Sequence, residues 1–179
     1  MEKLSMENLN RLSVNEFKLA QKAPVIVVLE NIRSAYNVGS VFRTADAFLL
    51  SAIYLVGYTA LPGHKEIKKT ALGAEETVAW KHFPNTIDAI TELKEMGYTV
   101  YAVEQVSNSI MLQNVTFGED DKIAVVFGNE VSGVENDTLL QCDGSIEIPQ
   151  FGVKHSLNIA TAAGVVLWEL IRKRLSLLD

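Results

Sequence analysis

Ile148-Pro149-Gln150-Phe151-Gly152-Val153-Lys154-His155-Ser156-Leu157-Asn158, near the end of a chain of 179 residues, is the stretch on which the fold turns. Pro149 closes the short apolar run Ile146–Ile148, Gly152 permits a bend, and Ser156 has the side chain of a helix N-cap. The helical pattern that follows, Leu157–Leu175, begins with Asn158 and then with Ala160, Ala162, Ala163 and Gly164, small residues that allow close packing. A cap accounts for Ser156. It does not account for Asn158, a polar residue just inside an apolar helix start, which either satisfies buried backbone groups or orients a reacting group.

Two further turns have the same character. Phe127-Gly128-Asn129-Glu130-Val131-Ser132-Gly133-Val134 follows the apolar run Ile123–Phe127 and sets two glycines around an acid. Glycine there lets main chain approach a ligand or take positive φ. Far earlier, Asn37-Val38-Gly39-Ser40-Val41-Phe42-Arg43-Thr44-Ala45 reads as a loop that becomes a helix, with Arg43 about one turn in and directed back towards Asn37 and Gly39. Each segment alone also has an ordinary reading: a solvated arginine, a strand-to-helix turn with Asn136 or Asp137 near the helix start, a capped helix.

Short β-branched runs at Val25–Leu29, Ala52–Val56, Thr77–Trp80, Thr99–Val103, Ile123–Phe127 and Ile146–Ile148 alternate with helical stretches at Val41–Leu50, Thr86–Met96, Glu135–Gln141 and Leu157–Leu175. That alternation predicts an α/β fold, a mostly parallel sheet between helices, with ligands outside the carboxyl ends of the strands. All three turns fall at or just past such an end. A further helix is expected within Glu7–Lys22, stopped by Pro24. The chain is expected to form a single domain overall, with residues 1–23 as a short helical extension and 24–179 as the functional unit.

The net charge of −6 argues against holding nucleic acid by bulk electrostatics alone and leaves room for local basic patches. His64, Lys65, Lys68 and Lys69 form one, Lys154 and His155 another, both expected in loops. Arg172, Lys173 and Arg174 fall in a last helical turn, where they suit the helix dipole. The single Cys142 and the absence of an apolar leader point to a cytoplasmic protein. Ile159–Ile171, broken by Glu169, falls short of the roughly 20 residues of a membrane span and reads as a buried helix. Neither a dinucleotide glycine fingerprint nor a phosphate-binding loop is present: Gly128–Gly133 has the glycine spacing of the latter but continues Val134-Glu135. Three scattered histidines and no cysteine pair offer no zinc site, so no metal is expected.

Taken together, Asn37–Ala45, Gly128–Glu130 and Ile148–Asn158 resemble the three motifs of the SpoU-type, or TrmH-type, RNA methyltransferases of the SPOUT superfamily, in order and at family-like spacing from Pro24 to Glu169. The resemblance implies S-adenosylmethionine as methyl donor, a ribose 2′-hydroxyl of tRNA or rRNA as acceptor, a C-terminal deep trefoil knot and a homodimer whose site is completed at the subunit interface. It implies that Arg43 activates the hydroxyl, that Asn37 helps position substrate and loop, that Glu130 is the acid of the second motif, and that Ser156 and Asn158 orient the arginine and the phosphate. It also implies that backbone at Gly128, Ile148 and Leu157, with Val103 at a preceding strand end, holds the adenosine part of the cofactor.

A ribose hydroxyl is a poor nucleophile, so its proton must be drawn off as it attacks the methyl group. Arg43 accepts that proton only if its site lowers a guanidinium pKa; otherwise it holds the adjacent phosphate and a phosphate oxygen or water takes the proton. RNA contacts then fall to Arg33, His64, Lys65, Lys68, Lys69, Lys154 and His155, with tRNA favoured by analogy with compact relatives. A non-catalytic RNA- or nucleotide-binding protein that keeps the fold is the alternative, and the joint presence of Arg43, Glu130, Ser156 and Asn158 favours the enzyme. A nucleotide-cofactor oxidoreductase would need a glycine fingerprint where Glu30-Asn31-Ile32-Arg33 stands.

Overall fold

The computed structural model describes Lys3, residues 11–153 and residues 156–175. The strands are β1 (Ala23–Glu30), β2 (Leu50–Val56), β3 (Trp80–Phe83), β4 (Thr99–Val103), β5 (Ile110–Met111), β6 (Ile123–Phe127) and β7 (Gly144–Glu147); β5 is not among the expected runs. They form one sheet in the order β3-β2-β1-β6-β4-β7-β5, and each of its pairings is parallel. The helices are α1 (Val14–Leu19), α2 (Ala35–Ala47), α3 (Lys65–Ala71), α4 (Ala74–Thr77), α5 (Thr86–Glu95), α6 (Asn136–Gln141) and α7 (Ile159–Leu175).

Alternate residues of the central strands feed two cores. Val25, Val27 and Leu29 pack with Phe17 of α1, Val38, Val41 and Phe42 of α2, Ile67 of α3 and Ala163, Val166 and Leu167 of α7. Ile26 and Val28 face Ala89, Ile90 and Leu93 of α5. Burial on both faces is why these strands read as continuous apolar runs rather than alternating ones. Among the described residues no helix is long and apolar enough to cross a membrane.

Several boundaries differ from the sequence expectation. Asn37–Ser40 is helix rather than loop: Ser34 caps α2 by accepting from the Asn37 N–H, so Arg43 is the ninth residue of the helix instead of lying one turn in. Gly39 sits inside that helix because a Cβ there would come 2.1 Å from Thr70 Oγ1 and 2.4 Å from the Ile67 carbonyl of α3. Thr77–Trp80 is not a strand; Ala74–Thr77 closes one helical turn and the strand starts at Trp80. The patch expected in a loop at His64–Lys69 is α3, with the His64 Nδ1 accepting from the Glu66 N–H at its start. Within the described part of the expected N-terminal helix, Val14–Leu19 is helical; residues 7–10 of the expected span lie outside the described residues.

Helix α7 is buried on one side only, with the apolar Val165 and Trp168 on its open side. The basic residues of its last turn have defined partners. Arg172 pairs with Glu169, while Lys173 donates to the carbonyls of Gln113 and Val115 and Arg174 to those of Glu119 and Asp121. Lys173 and Arg174 thus hold the excursion between β5 and β6.

Candidate active site

The parallel order places the ends of β1, β6, β4 and β7 along one edge, and the three sequence turns leave from it. Residues 31–34, after β1, lead into α2 and present the N–H groups of Arg33 and Ser34 just ahead of its first turn. Glu130, from the turn after β6, meets them: its carboxylate accepts from the Arg33 N–H at 2.9 Å, the Ser34 N–H at 3.1 Å and Asn37 Nδ2 at 3.0 Å. Partial burial pushes the Glu130 carboxyl up. The N–H groups of Arg33, Ser34 and Glu130 itself, with the Asn37 amide, outweigh that and hold it below its ordinary value. The other end of the Asn37 amide accepts from Asn158 Nδ2 at 3.2 Å. One polar chain, Glu130–Asn37–Asn158, therefore joins segments distant in sequence.

Asn158, not Ser156, caps α7. Its Oδ1 accepts from the N–H groups of Ala160 at 2.9 Å and Thr161 at 3.4 Å, which leaves its NH2 free to reach Asn37. The cap and the bond to Asn37 are thus one residue's work, because an amide both accepts and donates where serine's single hydroxyl has less reach.

Beside this chain lies a cavity of about 760 Å³. Its wall is the turn from Gly128 to Val134, closed by paired backbone bonds between Asn129 and Gly133. Gly128 is glycine for the sake of the turn itself: a Cβ would lie 2.2 Å from the Gly133 carbonyl carbon and the Val134 nitrogen. Asn129, only 8% exposed, accepts from the N–H groups of Val131 and Ser132 and donates to the Asn31 carbonyl and the Tyr58 hydroxyl. Glu104, just after β4, accepts from the N–H groups of Gln105 and Val134, tying that strand end to the same turn. Behind it Glu30, fully buried, accepts from Thr86, Thr138 and the Glu135 N–H and fixes the entry to α6.

Of the residues singled out in the sequence, Val103, Gly128, Glu130, Ile148, Ser156, Leu157 and Asn158 all line the cavity. Asn37 reaches it through Asn158 and Glu130. Arg43 does not: it is exposed on the outer stripe of α2 shared with Tyr36 and Ser40, and no bond joins it to Asn37, Ser156 or Asn158. Arg33 contributes its backbone to Glu130 and leaves its side chain exposed. Lys65, Lys68 and Lys69 are carried by α3, with the Lys69 ammonium 5.9 Å from the Tyr36 ring centroid. Lys154 and His155 lie outside the described residues. Asn129, Glu104 and Glu30 were missed. Only Asn129 carried a local signal, an amide between a glycine and an acid in a turn; the partners of the other two are distant in sequence.

The cavity fits a nucleoside-sized group. Apolar side chains from Val103, Ile148 and Leu157 face polar main chain in the tightly folded 128–134 turn, the mixture expected of a small-molecule site at strand carboxyl ends.

Residues 24–168 match the SpoU rRNA Methylase family, and the chain belongs to it. Over 165 residues it is 32% identical to the tRNA (guanosine(18)-2'-O)-methyltransferase of Thermus thermophilus, a match covering 92% of this chain and 83% of that one. Over 171 residues it is 28% identical to the 23S rRNA (guanosine-2'-O-)-methyltransferase RlmB of Vibrio vulnificus, covering 95% and 68% respectively. The crystal structure of an AdoMet-bound rRNA methyltransferase from Sinorhizobium meliloti superposes with a TM-score of 0.78 at 30% identity, over 86% of this chain and 57% of that one.

Proposed function

We propose that this chain transfers a methyl group from S-adenosylmethionine to a ribose 2′-hydroxyl of tRNA or rRNA. The observation that carries it is the convergence of all three motifs on one cavity through Glu130, Asn37 and Asn158, in a chain of this family. Backbone at Gly128, Ile148 and Leu157, with Val103, holds the adenosine part of the cofactor, which when bound supplies an activated methyl on sulfonium. Glu130 anchors the N-terminus of α2, Asn37 and Asn158 lock the loop before α7 against it, and Ser156 sits at the mouth.

Arg43 is the residue assigned to the acceptor. Exposed and without a partner among the described residues, it is free to bind the phosphate beside the target ribose or to take the hydroxyl proton. Its separation from the cavity supports a site completed by a second copy. The open side of α7 supports the same homodimer: Val165 is 40%, Trp168 49% and Leu175 50% exposed on a helix, and a Cβ on Gly164 would meet nothing within 4 Å. A trefoil knot belongs to this reading as well, supported by the grip of Lys173 and Arg174 on the carbonyls of 113–121, which brings that excursion across the end of α7.

Arg33, Lys65, Lys68 and Lys69, with His64, Lys154 and His155, form the RNA-binding surface. Relatives named for tRNA and for 23S rRNA match at similar identity; the larger share of the tRNA enzyme that is covered favours tRNA. The division at residue 24, with a single domain overall, goes with this reading, supported by Phe17 of α1 packing into the common core. A cytoplasmic setting goes with an RNA substrate.

The test is transfer of labelled methyl from S-adenosylmethionine to total RNA of a strain lacking the protein, followed by nucleoside analysis. A labelled 2′-O-methylnucleoside is expected, and the size of the labelled RNA separates tRNA from rRNA. Binding of cofactor and RNA without transfer, in the dimeric protein, would establish a binding protein instead.

A further inference from the structure

Of the five tyrosines in the chain, Tyr54 and Tyr98 are buried and Tyr101 is partly so, while Tyr58, in the turn after β2, is 63% exposed, more than any other. Exposure here does not bring freedom. The Tyr58 N–H donates to Asn31 Oδ1 at 3.3 Å, and the Tyr58 hydroxyl accepts from Asn129 Nδ2 at 2.6 Å. Both partners are themselves held: Asn31 Nδ2 donates to Glu135, and the Asn31 carbonyl also accepts from Asn129 Nδ2. On either side, the Gly57 carbonyl lies 3.0 Å from His82 Nε2, and the buried Thr59 accepts from the Ile32 N–H and donates to the Leu29 carbonyl. Gly57 takes a φ of +64°, and a Cβ there would come 2.0 Å from Asn31 Oδ1. The Tyr58 side chain is thus tied at its backbone and at its hydroxyl, yet its ring makes no aromatic or cation contact among the described residues. Ordering a side chain costs conformational entropy, and a ring left in water gains little apolar burial in return.

We propose that Tyr58 is a stacking platform for an unpaired base of the RNA substrate, one hydrogen bond away from the wall of the cavity. The proposal rests on the methyltransferase reading, in which RNA is the acceptor. A flat ring that is already ordered stacks on a base with little further loss of entropy, and every base offers a face to it. Its surroundings favour RNA: Asn129, which holds the hydroxyl, lines the cavity, and Arg33, two residues beyond Asn31, is exposed with no side-chain partner among the described residues. Stacking adds affinity without neutralising a phosphate, so it differs from the lysines of α3 in its response to salt.

Tyr58→Phe and Tyr58→Leu both take the hydroxyl away from Asn129, and only the second removes the aromatic face. Filter binding of the full chain to tRNA and, in parallel, to rRNA from a strain lacking the protein, over a series of salt concentrations, reads the difference. The Phe variant is expected to bind within about twofold of wild type and the Leu variant about tenfold more weakly, with an unchanged slope of log K against log salt. Calorimetric titration with S-adenosylmethionine and the melting temperature are expected to agree between the two variants, because neither depends on the face. Equal RNA affinity of the two variants overturns the platform. So does a Leu variant whose loss comes with a changed mass in light scattering, which would make the ring a contact between subunits. Wild type that binds neither RNA fraction also overturns it, and if S-adenosylmethionine is not bound either, the methyltransferase reading falls with it.

Discussion

The turn from Gly128 to Val134 and the outer face of α2 leave neighbouring strands and are built in opposite ways. In the turn polar groups are densely paired: the Asn129 side chain makes four hydrogen bonds, that of Glu130 three, and Glu104 ties the turn to the next strand. On the outer face the side chain of Arg43, like that of Arg33 just ahead of the helix, has no partner among the described residues. One region is paired within the chain and walls the cavity; the other presents exposed cations, which the proposed function assigns to RNA. Preorganisation of this kind suits the proposed cofactor cavity, while unpaired surface cations suit the proposed RNA-binding side.

Changes in the finished region should harm folding and cofactor binding together. The largest effect is expected from Gly128→Val, because its Cβ collides with backbone that cannot swing aside; loss of about 2 kcal/mol or more in urea unfolding, with no measurable cofactor binding, is the expected outcome. Asn129→Ala leaves the N–H groups of Val131 and Ser132 unpaired and should cost about 1–3 kcal/mol, with weakened cofactor binding in the same calorimetric titration. If either variant keeps wild-type affinity, the turn is not the wall of the cofactor site.

Changes in the open region should spare both. Replacing Lys65, Lys68 and Lys69 by Gln is expected to leave the melting temperature nearly unchanged and to lower RNA affinity, with the slope of log K against log salt shallower by about 2–3. An unchanged slope would remove α3 from the RNA surface.

The smallest effect concerns pH. The Glu130 carboxyl is held low in the folded chain, so the stability it contributes is present above the ordinary carboxylate range and is lost as pH falls through its lower folded value. Solvent screening at this exposed group limits the contribution to under about 1 kcal/mol. Urea unfolding of wild type and Glu130→Gln should differ at neutral pH and converge on acidification; a constant difference would show that the charge is not what α2 holds.

The sheet was legible because β1 and β6 are buried on both faces and β4 is a short apolar run beside β6: Thr99–Val103 and Ile123–Phe127 were read to the residue. Part of what lay hidden depended on partners distant in sequence. The Ser34 and Asn158 caps are local bonds that were overlooked, whereas the link from Asn158 to Asn37 and the seating of α3 against α2 where a basic loop was expected are not local. The cavity residues were found through the motifs. Their wiring through Asn129, Glu104 and Glu30 was not, because a buried acid such as Glu30 at the end of an apolar run looks like any strand terminus until Thr86 and Thr138 are seen around it.

Arg43→Ala divides the two regions most directly. Cofactor affinity by calorimetry and single-turnover methyl transfer to RNA should be measured on the same preparation. The expected result is an unchanged dissociation constant with transfer slowed about 10²–10⁴-fold, the range for loss of one group acting on the reacting hydroxyl. Retained transfer, or cofactor affinity falling in step with the rate, would contradict the assignment of Arg43 to the acceptor side and with it the division between a finished cavity and an open face.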